Sequence, residues 1–258
     1  MQQPADRARP EIAPTAAPVG IPARSAWILA EPRGTPEHSA PAIGVDQGSV
    51  AGNCSLSSLV GELVAQIDAA DPSQTGHATR VAALATMLGS SIGMEAKELR
   101  QLRIAALLHD VGKILVPAAI LQKAGPLTTT ESSTIRRHTV YGGMILRKIP
   151  ALAFAAGTAR WHHERWDGLG YPDGMVGNAI PLHARIVGVA DALDAMTSVR
   201  AYRQPMPLEQ AFEELEAQSG AQFDPMIVAA VGPLVGATGF RDSWETLSNH
   251  IEALPAAA

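Results

Sequence analysis

The chain has 258 residues, 47% of them hydrophobic and 17% charged, with a formal net charge of -5 at pH 7 and one cysteine, Cys54. This is the composition of a globular protein with one sizeable core or two small ones; with no run of lysine or arginine it argues against DNA or an anionic membrane as partner. A lone cysteine excludes an intrachain disulfide and thiolate metal ligation, so any metal must be held by histidine and carboxylate, and it fits a reducing compartment. The opening MQQPADRARP lacks the order of a signal peptide and no stretch of about 18 apolar residues occurs, so the expected location is cytoplasmic.

Residues 1–53 are rich in Pro, Ala and Gly without helical or alternating period, which predicts a mostly disordered leader. Within it, SAWILAEP (Ser25 to Pro32) suits a strand or a docking peptide, but composition favours a fragment without stable structure. From Ser55 the spacing becomes helical. Leu56, Leu59, Val60, Leu63, Val64 and Ile67 form one stripe, and Val81, Leu84, Leu88 and Ile92 another. The first stripe suits an intramolecular core or a homodimer contact. Met94 to Asp110 reads as a helix whose apolar end meets His109 and Asp110.

Thr128 with Glu131 makes a capping box for a helix carrying Ile135, His138, Tyr141, Ile145 and Leu146, which Pro150 ends. A further helix runs from about Ala151 to Glu164, followed by a Gly/Pro-rich loop up to Pro181 and a helix through Val199. Pro207 and the Asp224-Pro225 pair mark two more helix starts. No alternating strand stands out in residues 55–235 and no repeat at a fixed period. The expectation is an all-α helical domain over residues 54–235 and an apolar tail over 236–258.

Five of the eight histidines, His77, His109, His138, His162 and His163, lie at or near helix ends or on helices with apolar faces, and Asp110 and Asp191 have similarly apolar surroundings. Each alone reads best as a hydrogen-bonded core residue or a cap. Together they read as a metal centre, because isolated charges are costly to bury and imidazole with carboxylate suits divalent ions. Seven donors exceed what one ion uses while leaving room for substrate, which points to two ions sharing a carboxylate. Such a pair can turn water into hydroxide near neutral pH and offset charge on a phosphoryl oxygen, so the predicted chemistry is phosphoester hydrolysis. Lys113, one turn after Asp110, suits a phosphate contact or a solvated helix end equally.

The strings HDVGK (His109 to Lys113), RRHTVYGG around His138, HHERWDGLGYP (His162 to Pro172) and VADALDAMTSVRAYR (Val189 to Arg203) occur in this order. Together, from about Asp71 to Val231, they resemble the HD-GYP domain, a subgroup of the HD metal-dependent phosphohydrolase superfamily. The resemblance implies an HD-type helical bundle with divalent metal ions, iron or manganese, that hydrolyses cyclic di-GMP to pGpG or on to GMP. It puts metal ligands at His77, His109, Asp110, His138, His162, His163 and Asp191, with Asp110 as bridge and catalytic residue. It puts Lys113 near the scissile phosphate, Arg200 and Arg203 on the substrate phosphates, and Gly170, Tyr171 and Pro172 in a wall against the substrate or a partner.

Relatives with a third metal carry a glutamate where this chain has Ser73, so two ions are expected here. The alternatives within the resemblance are a phosphodiesterase for a mixed cyclic dinucleotide and a non-catalytic receptor or docking module, for instance for a GGDEF-type cyclase. Constitutive activity and control by a separate protein are the two expectations for regulation. Glu164 is expected to orient a ligand imidazole and Asp167 to fix the loop through backbone amides. His38, His183 and His250 are left outside the site.

Overall fold

The computed structural model describes residues 55–198, 205–236 and Trp244. The leader with Ser25 to Pro32 and His38, the pair Arg200 and Arg203, and the tail apart from Gly236 and Trp244 lie outside them. The described residues are helical, with one isolated bridge between Ser219 and Phe223 in place of any strand, as an all-α protein requires. No described helix is long and apolar enough to cross a membrane.

Helix α1 (Leu56–Ala70) is capped by Ser55, whose side chain accepts from the Ser58 amide, and buries Val60, Leu63 and Ile67. Those residues are spent on the intramolecular core, while Leu56 is left exposed. Helix α2 (His77–Ser91) buries Val81, Leu84 and Leu88, and α3 (Ala96–Leu107) starts from a Glu95/Glu98 capping box. The helix expected to reach Asp110 stops at Leu108, and the chain turns through His109 and Asp110 into a 3₁₀ segment, Val111–Leu115. Gly112 permits that turn: a Cβ there would lie 1.9 Å from the His138 carbonyl oxygen.

After the short α4 (Ala118–Leu121), the expected capping box of Thr128 and Glu131 opens α5 (Thr129–Arg136). The single helix expected to carry both Ile135 and Leu146 is instead broken at Arg137, where α6 (His138–Arg147) begins. The cause is local. His138 Nδ1 bonds the Ile135 carbonyl at 2.7 Å and Thr139 Oγ1 the Arg136 carbonyl at 2.9 Å, so side chains take acceptors that helix amides would use. The helix expected over Ala151 to Glu164 is likewise a 3₁₀ segment, Pro150–Ala155, and the short α7 (Ala156–Trp161). Here His162 Nδ1 bonds the carbonyls of Thr158 and Ala159, both at 3.1 Å, and ends the helix at itself.

Helix α8 (Leu182–Thr197) follows Pro181, α9 (Leu208–Ala217) follows Pro207, and α10 (Pro225–Val235) is capped by Asp224, which accepts from the Met226 amide. Two apolar clusters result. One joins α2, α3, α8, α9, α10 and Trp244; the other joins α1, the end of α3, α6 and α7. The helices of both clusters deliver histidines to one place.

Candidate metal centre

His77 opens α2, His109 and Asp110 follow α3, His138 opens α6, His162 and His163 end α7, and Asp191 stands midway along α8. The seven expected donors are therefore brought together from five helices. Adjacent histidines on a helix point about 100° apart; His162 and His163 both reach the centre because the helix ends there. Their ring centroids are 4.2 Å apart.

Asp110 is the hub. Its Oδ1 lies 3.2 Å from His138 Nε2 and 3.9 Å from His162 Nε2, while its Oδ2 lies 3.4 Å from His109 Nε2 and 3.9 Å from His77 Nε2. Each oxygen thus faces a different set of imidazoles. Donor atoms of His138, His162 and His163 lie within 4.8 Å of one another, as do those of His77, His109 and Asp191, and those of His109, Asp110 and His162.

The hydrogen bonds fix which nitrogen carries the proton. His109 Nδ1 bonds the Ala106 carbonyl at 2.7 Å, in the same pattern as His138 and His162 with their own preceding turns. A carbonyl can only accept, so Nδ1 donates and the Nε2 of each neutral ring bears a lone pair. His138 Nε2 and His162 Nε2 lie 3.4 Å apart, and His109 Nε2 is buried with no hydrogen-bond partner. Lone pairs facing one another in a buried space are unfavourable until a cation sits between them. The residues fit divalent metal.

Ionisation agrees. Burial pushes the His162 pKa well below its usual value, and His163, His109 and His138 push it further; burial and His138 bring His163 down to about 3. These rings are neutral at pH 7, the form in which imidazole can ligate a metal. Burial raises the Asp110 carboxyl, but Lys113 and His109 outweigh it and hold the group well below the usual carboxylate range. His77 differs: burial lowers it, yet Asp191 and Asp194 overcome this and raise it to about 9 without metal.

Lys113 Nζ is 2.6 Å from Asp110 Oδ2 and donates to Gln74 Oε1 at 2.9 Å. Buried in this way, it is not the solvated lysine that the sequence also allowed. Tyr171 stacks on His163, with ring centroids 5.0 Å apart, and the Arg136 guanidinium lies 4.9 Å from its ring centre. Its hydroxyl is buried without a hydrogen-bond partner. Pro172 follows through a cis peptide bond. Gly170 is dictated by close approach, since a Cβ would lie 2.3 Å from the Arg165 nitrogen.

The sequence profile of the HD domain matches residues 63–227. This chain belongs to the HD domain family. HD domain phosphohydrolases bind divalent metals. The chain is 44% identical over 156 residues to a cyclic di-GMP phosphodiesterase of Thermotoga maritima, covering 60% of this chain and 42% of the relative. It is 40% identical over 171 residues to the cyclic di-GMP phosphodiesterase response regulator RpfG of Xanthomonas campestris pv. campestris, covering 66% and 45%. A 3'3'-cGAMP-specific phosphodiesterase 2 of Vibrio cholerae is 38% identical over 172 residues, covering 66% and 33%. The chain spans less than half the length of these curated relatives. In fold it resembles the crystal structure of a cyclic GMP-AMP specific phosphodiesterase of V. cholerae, with TM-score 0.56 and 23% identity over 77% of this chain and 53% of that one.

Several working parts of this HD domain were not visible in its sequence. Asp194 is fully buried and accepts from His77 Nδ1 at 2.7 Å and Arg80 Nε at 2.6 Å. Its spacing of three from Asp191, matching that of Arg80 from His77, was the available signal. Gln74 and Arg136 gave none. Glu164 corrects an expectation: it orients no imidazole, because its carboxylate accepts from the loop amides of Asp173, Gly174 and Met175 at 2.7, 3.1 and 3.0 Å. Asp167 does fix the loop, accepting from the Leu169 amide at 3.0 Å and pairing with Arg165. Ser73 donates to Asp71 at 2.6 Å. His183 is half-buried in the first turn of α8.

Proposed function

We propose that residues 54–235 of this HD domain protein form a cytoplasmic phosphodiesterase that opens cyclic di-GMP to pGpG with two divalent ions, iron or manganese. The observation that carries this reading is Asp110, whose two oxygens face separate histidine sets. His77, His109 and Asp191 would hold one ion, His138, His162 and His163 the other, and Asp110 would touch both. Bound there, such ions supply a nucleophile from water at neutral pH and charge to offset that of the phosphoryl oxygens.

The chain's own residues supply the rest. The carbonyls of Ala106, Ile135 and Ala159 keep protons on Nδ1 and so keep the inner nitrogens free. Lys113 offers a positive charge to a phosphate oxygen, with Gln74 to steady it when Asp110 is engaged. Hydrolysis to pGpG forms one bond from the oxygen of water to phosphorus and breaks one phosphorus–O3′ bond, and the departing O3′ takes up a proton that the water gives up. Tyr171 presents a hydroxyl without a protein partner, and its ring, held between His163 and Arg136, walls the pocket. Arg200 and Arg203 are assigned to the substrate phosphates from the sequence resemblance alone.

The names of the V. cholerae relatives favour a second substrate of the same class, 3'3'-cGAMP. Chromatography of products from each dinucleotide, with metal analysis of anaerobically purified full chain, tests both. Conversion of cyclic di-GMP that needs iron or manganese supports the reading, faster conversion of 3'3'-cGAMP selects the second, and inertness toward both leaves a binding module.

A further inference from the structure

Beside the centre stands a buried ion pair that includes none of the seven donors. Asp194 lies one turn after Asp191 on α8, and Arg80 one turn after His77 on α2. Asp194 is 0% exposed and Arg80 9%. Arg80 donates Nε to Oδ1 at 2.6 Å and Nη2 to Oδ2 at 3.3 Å, Ser198 Oγ donates to Oδ1 at 2.9 Å, and His77 Nδ1 reaches Oδ2 at 2.7 Å. An ionised carboxylate has about four lone-pair sites, and these contacts fill them. Buried ion pairs are weak sources of stability, often replaceable by apolar side chains without loss. The role of Arg80 is therefore to be sought in what it reaches.

We propose that Arg80 is a positioning residue for metal: through Asp194 it fixes the His77 ring and keeps a proton on Nδ1, so that Nε2 serves the half-site of His77, His109 and Asp191. The inference rests on the metal-centre reading above. The guanidinium grips both oxygens of Asp194, and Oδ2 so held accepts from His77 Nδ1. Nε2 then lies 3.3 Å from Asp191 Oδ1 and 3.9 Å from Asp110 Oδ2. Without the guanidinium, only Ser198 Oγ and His77 Nδ1 remain on the carboxylate, which is then free to turn and to take the ring with it. The other half-site lacks this dependence, since the His138 and His162 rings are held by backbone carbonyls of their own preceding turns.

The test is calorimetric titration of Mn²⁺ into the metal-free full chain and its Arg80→Met, Arg80→Lys and His77→Ala variants, with thermal melts by circular dichroism. Wild type is expected to take two ions. Arg80→Met is expected to keep one site unchanged and weaken the other about 10- to 100-fold, the usual effect of losing an outer partner of a ligand histidine. His77→Ala should show the same one-site pattern, and Arg80→Lys an intermediate one, because it keeps charge without the fork. Two sites of wild-type strength in Arg80→Met overturn the inference and leave the metal reading intact. Equal weakening of both sites alongside a lowered melt also overturns it, as a purely structural role. If Arg80→Met does not fold, Arg80→Lys decides by the same comparison of sites. A wild-type chain that binds no Mn²⁺ overturns the metal reading itself.

Discussion

The Lys113 ammonium lies 2.6 Å from Oδ2 of Asp110, so the hub of the centre carries its own counter-charge while no cation is bound. The two residues have separable duties. Asp110→Ala should remove turnover and weaken metal binding by more than the roughly 10- to 100-fold that an outer partner is worth. Lys113→Met should retain both ions and lower turnover about 10²- to 10³-fold, as expected of one lost electrostatic stabiliser. Metal content and cyclic di-GMP hydrolysis measured on both variants check this. Full metal loading in Asp110→Ala contradicts the bridging role.

His77 gives a pH signature. Metal-free, it is held protonated up to about pH 9 between Asp191 and Asp194, and a metal must displace the Nε2 proton. Binding at pH 7 should therefore release about one proton at that half-site, with affinity rising as pH rises and levelling above pH 9. The sign for stability is opposite. A pKa raised on folding stabilises fully below the unfolded value, and that stability is lost as pH climbs through about 9. The metal-free melt should fall across that window, and the loaded one should not. Calorimetry in buffers of differing ionisation enthalpy, with melts at each pH, measures both.

Tyr171→Phe should act in two directions. Removing a buried hydroxyl that has no protein partner should leave the metal-free fold unharmed or stabilise it by about 1 kcal/mol. On the proposed function turnover should fall, since a hydroxyl without a protein partner is available to substrate. A melt and a kcat/KM on the same preparation decide, and unchanged turnover removes Tyr171 from the pocket.

Gly112→Ala should be far more damaging than its size suggests. The new Cβ would meet the His138 carbonyl oxygen at 1.9 Å and the Gly142 nitrogen at 2.5 Å, both backbone atoms. Overpacking of this kind costs about 3 kcal/mol, a melt lowered on the order of 10 °C. A wild-type melt would mean that the α6 contact yields easily.

Much of the molecule could be read before folding. The apolar spacing placed α1, α2 and α3, the box at Thr128 and Glu131 placed a helix start, and clustering of imidazole and carboxylate in apolar surroundings placed the donors. The breaks at Arg137 and after Trp161 were hidden, because apolar periodicity runs straight through them. Their cause is the histidines themselves, whose Nδ1 atoms take carbonyls from the preceding turn, and hydropathy does not report that. Glu164 was misjudged for a related reason. Its neighbours in sequence are histidines, but the amides that fill its carboxylate lie nine to eleven residues ahead.

The loop carrying Tyr171 has a mooring far from the ligands. Trp166 and Asp167 donate backbone amides to the carbonyls of Gln222 and Ala221 at 3.1 and 2.9 Å, and Arg165 donates to the Gln222 side chain, 57 residues along the chain. A nascent chain emerging only as far as α9 would already contain all seven donors while lacking the strap that steadies their outer wall. On the proposed function, ion capture and substrate retention would thus be written into different stretches of the polypeptide, the second awaiting the turn before α10.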